Sequence, residues 1–138
     1  MARSILAVVA GLVTAFVVIF VIEAVGHIFY PPPPDIDMRD PQVIRSLMEN
    51  APTGSLIVVL IGWALGSFIG GLVTSHVAIR NKLTHSIITG ALLMISGIAN
   101  MIMLPHPVWM WIFGLLIFIP FAYWGSRYLN KNRIENEI

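Results

Sequence analysis

The sequence has no cysteine, and only 11% of its 138 residues are charged. The first absence excludes disulfides, thiolate catalysis, cysteine-based zinc clusters and cysteine-linked lipid anchors. A soluble domain carries roughly 25% charged residues. Because the charged fraction is so low and 57% of the residues are hydrophobic, the composition favours a lipid bilayer as the solvent. The net charge of +1, without a basic run interleaved with aromatics, argues against nucleic-acid binding.

The signatures of common catalytic sites are also missing. The chain has no Gly-x-Ser-x-Gly turn and no Walker loop for a phosphate. The stretch Gly66-Ser-Phe-Ile-Gly70-Gly71 lies within an apolar segment, where it indicates helix packing. No apolar segment carries a stripe of charges that would line an ion pore. The sequence therefore favours a protein without enzymatic activity.

Long apolar runs are what the sequence has in abundance. They predict an all-α integral membrane protein, a single domain over residues 1–138 in which four helices form an antiparallel bundle. The first run covers residues 5–22, which is longer than the roughly 7–15 residues of a signal peptide, so we expect it to be a retained span. The predicted spans cover about residues 4–30, 54–79, 84–104 and 108–128.

The only long loop is predicted at residues 31–53, because four successive prolines from Pro31 end the first helix. Asp40 followed by Pro41 is typical of a helix N-cap and first turn. Apolar residues then recur on one helical face between about residues 41 and 50. This pattern predicts a short external amphipathic helix that either lies on the membrane surface or covers the ends of the spans.

The basic residues predict the orientation of the chain in the membrane. Six of the eight Lys and Arg side chains lie on the side of the two termini, and only Arg39 and Arg45 lie in the long loop. Cytoplasmic loops of membrane proteins carry the excess of basic residues. We therefore expect the N- and C-termini in the cytoplasm and the long loop outside.

Small residues recur at every fourth position in the first two predicted spans. This spacing lets another helix approach closely. It does not distinguish a partner helix in the same chain from one in a second copy. A homo-oligomer or a larger membrane complex held through the second span is therefore left open. The small residues are Ala7, Gly11 and Ala15 in the first span and Gly62, Gly66 and Gly70 in the second.

Polar side chains gather near the outer ends of the spans. Glu23 and His27 lie four residues apart and so share one face of the first helix. At a helical rise of about 1.5 Å per residue, Glu23 lies about 10 Å below Tyr30, and Asn100 lies at a comparable depth in the third span. His106 follows in the turn after that span. The sequence thus places all four polar side chains in one layer of the outer leaflet.

The sequence leaves four interpretations of this layer open. The side chains can be hydrogen-bonded contacts between helices, as polar residues in membranes often are. Glu23, His27 and His106 can also form the ligand set of a divalent metal such as zinc or iron, with Asn100 as a polar partner. The third interpretation is a proton-responsive pair of Glu23 and His27. The fourth is a binding site for a lipid or quinone headgroup. The first interpretation favours a non-enzymatic accessory or assembly subunit or a homo-oligomer, and the metal and proton interpretations favour a membrane enzyme or transporter.

Two stretches resemble a group of small bacterial four-span membrane proteins. The first is Glu23-x-x-Gly26-His27 followed by Tyr30 and the prolines. The second is Ile98-Ala-Asn100-Met-x-Met-x-Pro105-His106-Pro107-x-Trp109. The resemblance implies four spans and a bacterial inner membrane. Because no activity is assigned to that group, the resemblance implies no substrate and no binding residue.

Overall fold

The computed structural model describes residues 2–34, 37 and 39–135, with side chains through residue 130. Within these residues the chain is all-α and has five helices. Four of them are long and apolar enough to cross a membrane, as the sequence predicts. The last helix continues beyond its predicted end at residue 128. The helices are α1 (Ala2–Phe29), α2 (Pro41–Glu49), α3 (Thr53–Val77), α4 (Lys82–Met103) and α5 (Val108–Glu135).

The ends of the helices follow from residues with special backbone or capping properties. α1 ends at Phe29, just before the prolines, which lack the N–H group that a helix needs. The carboxylate of Asp40 accepts a hydrogen bond of 2.8 Å from the backbone N–H of Gln42 and caps α2, as the sequence predicts. Asn81 precedes α4 with a φ of 50°, a left-handed conformation that asparagine visits more readily than most residues.

α1 and α3 run antiparallel and pack through their small residues. At Gly70, an added Cβ would lie 2.9 Å from the backbone oxygen of Gly11 and 2.9 Å from the Cβ of Ala15. Gly62 and Gly66 also face α1 of the same chain. The glycine face of α3 therefore has an intramolecular partner in this structure. A homo-oligomer held through these glycines stays a prediction, and it would require α1 to move away.

α3 lies at the centre of the packing, since it contacts α1, α4 and α5. Its approach to α5 is backbone to backbone. An added Cβ at Gly71 would meet the Ala122 backbone, and one at Gly125 would meet the carbonyl of Phe68. Among the helix pairs that touch, α1 and α4 share the smallest contact. Among the described helices, α1 and α4 are therefore packed less tightly against each other than any other contacting pair.

Buried hydroxyl groups join α3 to α4 near the end of the molecule that carries the N-terminus. The hydroxyls of Thr74 and Thr89 are hydrogen-bonded at 2.9 Å, and both residues are fully buried. Ser86 donates a hydrogen bond of 2.8 Å to the backbone carbonyl of Gly71. Such bonds between helices matter where no water is present to replace them.

α2 lies apart from the long helices. Among the described residues it packs against none of the other four helices. Arg45 and Glu49 form an ion pair of 2.9 Å on its exposed side. The interpretation of α2 as a cover on the ends of the spans therefore has no helix contact to support it, and its position on the membrane surface stays a prediction.

Candidate functional site

A crevice of about 180 Å³ opens between α1 and α4, the contacting helices that share the smallest contact. Its inner wall is formed by residues of three helices, and all of them are buried: Trp63 of α3, Leu93 and Gly97 of α4, and Phe118 of α5. Gly97 leaves room for the Phe118 ring, because an added Cβ there would lie 2.5 Å from it. The wall is therefore apolar and largely aromatic.

The rim of the crevice carries its polar side chains. Glu23 comes from α1, and Ser96 and Asn100 come from α4. Ser96, Asn100 and the rim residue Phe16 are exposed, whereas Glu23 is half-buried. Among the described residues that line the crevice, Glu23 is the only ionisable one. Glu23 and Asn100, which the helical rise places at similar depths, thus line one cavity.

Trp63 and Glu23 line the crevice together. The Trp63 side chain lies near enough to interact with the Glu23 carboxyl, and His27, on the next turn of α1, lies near enough for its charge to interact with that of Glu23. The Trp63 ring packs on Phe118, with ring centroids 5.2 Å apart. Its centroid also lies 6.5 Å from that of His106. Trp63 therefore lies close to Glu23, Phe118 and His106.

The two histidines of the predicted layer do not line the crevice. His27 is exposed on α1. His106 is half-buried in the turn between α4 and α5, and its Nδ1–H donates a hydrogen bond to the carbonyl of Leu104. Burial lowers the pKa of His106 below its ordinary value, and the hydrogen bond to Leu104 opposes this change. Burial therefore favours the neutral form of the His106 imidazole.

The predicted metal ligands gain no support from this arrangement. Among the residues that the structure describes, no three His, Cys, Asp or Glu side chains come together as a group that could hold a metal ion. Glu23, His27 and His106 as a ligand set, with Asn100 beside them, stay a prediction of the sequence.

Trp63 is the residue of this site that sequence reasoning missed. Tryptophans of membrane helices are usually found at the two interfaces. Trp63 lies ten residues after Thr53, the first residue of α3, and hence about 15 Å along the helix. That depth is the signal that could have identified it, because an indole N–H buried there needs a polar partner.

Comparison with known proteins gives no relative for this chain. No protein-family model, no curated protein and no solved structure matches it. The function proposed below therefore rests on the crevice itself.

Proposed function

We propose that the chain is a small integral membrane protein whose α1, α3, α4 and α5 form an antiparallel four-helix bundle in a bacterial inner membrane. Four helices of sufficient length and hydropathy support this proposal. Large apolar side chains on the outer surface support it too, for example Phe20, which is 72% exposed. The excess of basic residues favours cytoplasmic termini, and with that orientation the crevice would lie in the outer leaflet.

Single cysteines test this orientation, because the chain has none of its own. Ser46 of α2 and Thr84 of α4 are both exposed and suit replacement by cysteine. A membrane-impermeant maleimide added to intact cells should label Ser46→Cys at once. It should label Thr84→Cys only after the inner membrane is permeabilised. Labelling in the reverse order would contradict the orientation.

The function that the geometry supports best is binding of a small ligand in the α1–α4 crevice, without chemical conversion. One observation carries this proposal: a half-buried carboxylate and two hydrogen-bonding side chains surround a cavity with an apolar wall. Binding sites for small molecules typically combine an apolar cavity with a few polar groups that fix orientation. Nucleophilic catalysis typically needs a base beside the nucleophile, and among the described lining residues only Glu23 ionises.

The biological role that we propose for this binding is that of a non-enzymatic accessory or assembly subunit, or of a small homo-oligomer. A single apolar domain whose only long connection is residues 31–53 has little surface outside the membrane for a soluble partner. Because α1 covers Gly62, Gly66 and Gly70, association would use other exposed apolar faces or follow a displacement of α1. Native mass spectrometry from a mild detergent tests this role: a lone monomer at every concentration, with no co-purifying partner, would contradict it.

Ligand binding is tested with two small probes of nearly equal shape, 4-fluorobenzyl alcohol and 4-fluorobenzylammonium. The measurement is a fluorine NMR titration of the purified protein in an uncharged maltoside detergent, with empty micelles as reference. Ser96→Trp places a large side chain at the mouth of the crevice and should abolish saturable binding. Ser46→Trp, on the exposed side of α2, should leave it unchanged. If neither probe binds saturably to the wild-type protein, the proposed function fails.

A metal- or proton-dependent transporter or enzyme is the second candidate. It is favoured by the position of His27, which is close enough to Glu23 for their charges to interact. Its metal form predicts a stoichiometric metal in the purified protein that is lost in a Glu23→Gln/His27→Ala double variant. Elemental analysis that finds no metal in either protein would remove that form.

A further inference from the structure

The charge of the crevice limits the ligands that it can accept. Glu23 is half-buried between α1 and α3, and the described lining holds no lysine, arginine or histidine. An anionic ligand would therefore meet a carboxylate with no cation in the lining to offset it; His27 lies on the next turn of α1, outside the lining. A ligand that carries a positive charge would instead pair with the carboxylate from within the crevice.

The other side chains of the crevice suit an organic ammonium group. Aromatic rings of three helices line it, from Phe16, Trp63 and Phe118. The faces of such rings attract ammonium groups, and the attraction grows when the site is shielded from water. Ser96 and Asn100 add oxygen acceptors on the side opposite Glu23. A primary ammonium has three N–H donors, and the rim offers an oxygen acceptor from each of three side chains.

The size and the position of the opening limit the ligand further. A cavity of about 150 Å³ is known to hold benzene, so a crevice of similar volume takes a group of about six to ten heavy atoms. The exposed rim residues Phe16, Ser96 and Asn100 lie within the apolar length of α1 and α4, so the crevice opens sideways into the lipid. Its ligand must therefore partition into the bilayer before it binds.

We infer that the crevice binds a small lipophilic ammonium ion, with the ammonium group at Glu23 and the apolar body against Trp63 and Phe118. This inference rests on the proposed ligand-binding function and adds the chemical class of the ligand. The ion is a free molecule and not the headgroup of an aminophospholipid. A headgroup would bring a phosphate with it, and no basic residue of the described lining could bind a phosphate.

The decisive comparison is between the two probes, which differ mainly in charge. 4-Fluorobenzylammonium should bind at least about tenfold more tightly than 4-fluorobenzyl alcohol, because both can donate a hydrogen bond to Glu23 but only the ammonium brings a positive charge to pair with the carboxylate. Glu23→Gln keeps the shape of the side chain and removes its charge. It should weaken binding of the ammonium by about 10- to 100-fold and leave binding of the alcohol nearly unchanged.

Two further variants keep the test valid if Glu23→Gln disturbs folding. Glu49→Gln makes the same substitution in the exposed ion pair of α2 and should change neither affinity. Asn100→Leu removes one exposed oxygen acceptor from the rim at the depth of Glu23, where folding depends on it little. It should weaken binding of the ammonium by about threefold or more and weaken binding of the alcohol less.

The outcomes separate this inference from the function on which it rests. Equal affinities for both probes, with no effect of Glu23→Gln, would overturn the ammonium inference and leave a ligand-binding crevice. Binding of neither probe would remove the ligand-binding function itself. Displacement of bound 4-fluorobenzylammonium by added phosphatidylethanolamine would show that a lipid headgroup occupies the crevice, and it would overturn the assignment of a free ion.

Discussion

A glycine-to-alanine substitution in α3 should lower the stability of the protein at Gly71 but not at Gly62, although the sequence alone does not tell these two glycines apart. At Gly71, an added Cβ would overlap the carbonyl oxygen of Ala122 and lie 2.6 Å from its Cα and 2.7 Å from its carbonyl carbon. These are backbone atoms, so α5 itself would have to move. At Gly62, the three nearest atoms would be 3.5–3.8 Å away, in Ile19 and Ile22, which is ordinary contact.

These distances give the sign and the size of each effect. Overpacking of a well-packed interior costs about 1–3 kcal/mol, and alanine gains up to about 1 kcal/mol over glycine in a helix. Gly71→Ala should therefore lower the free energy of unfolding by about 1–2 kcal/mol. Gly62→Ala should leave it unchanged or raise it by up to about 1 kcal/mol.

The assay is equilibrium unfolding in mixed micelles of maltoside and dodecyl sulfate, followed by the helical circular dichroism signal. The two variants are matched, because both make the same change in the buried part of one helix. Equal stabilities of the two variants, or a destabilised Gly62→Ala, would refute the close approach of α3 and α5 that the structure shows.

Three further predictions concern the hydroxyl pair, the cap of α2 and the turn histidine. Thr74→Val removes the hydrogen bond to Thr89 and should lower the free energy of unfolding in the same assay by about 0.5–1.5 kcal/mol. Thr14→Val is its control, because the Thr14 hydroxyl bonds only within α1, and an equal loss there would contradict the assignment. Asp40→Ala should speed hydrogen exchange in α2 and leave global unfolding unchanged, because α2 packs on no other helix of the described chain. A lower global stability of this variant would argue against the isolation of α2. Burial lowers the pKa of His106 in the folded state, so the unfolded state binds the proton more readily and stability should fall as the pH drops below about 6.5. A His106→Asn variant should lose this part of the pH dependence in thermal unfolding between pH 8 and pH 5, and an unchanged profile would exclude His106 as its source.

The helices could be predicted from the sequence because their signals are local. Asp40 and Pro41 start α2, the prolines after Tyr30 end α1, and apolar length alone identifies the four long helices. The similar depths of Glu23 and Asn100 also follow from local geometry, since helical rise is nearly constant. The structure then places both on one crevice.

The contacts between helices could not be predicted in the same way, because they depend on which faces meet. Gly62, Gly66 and Gly70 form one sequence pattern, yet an added Cβ would be accommodated at Gly62 and would clash at Gly66 and Gly70. The pattern also did not identify which helix packs on these glycines, whereas the structure shows that it is α1. Trp63 was missed because its role depends on Glu23 of another helix and not on its own neighbours in sequence.

The central claim, that the α1–α4 crevice is the binding site, is tested most directly by photolabelling. A benzylammonium that carries a diazirine on its ring would be bound to the protein in maltoside micelles, irradiated and mapped by peptide mass spectrometry. We expect the label within residues 16–23 of α1 and 93–100 of α4, and we expect excess 4-fluorobenzylammonium to suppress it. Label spread over exposed residues of α1 far from the crevice, such as Ile5 and Val9, and undiminished by the competitor would contradict the claim.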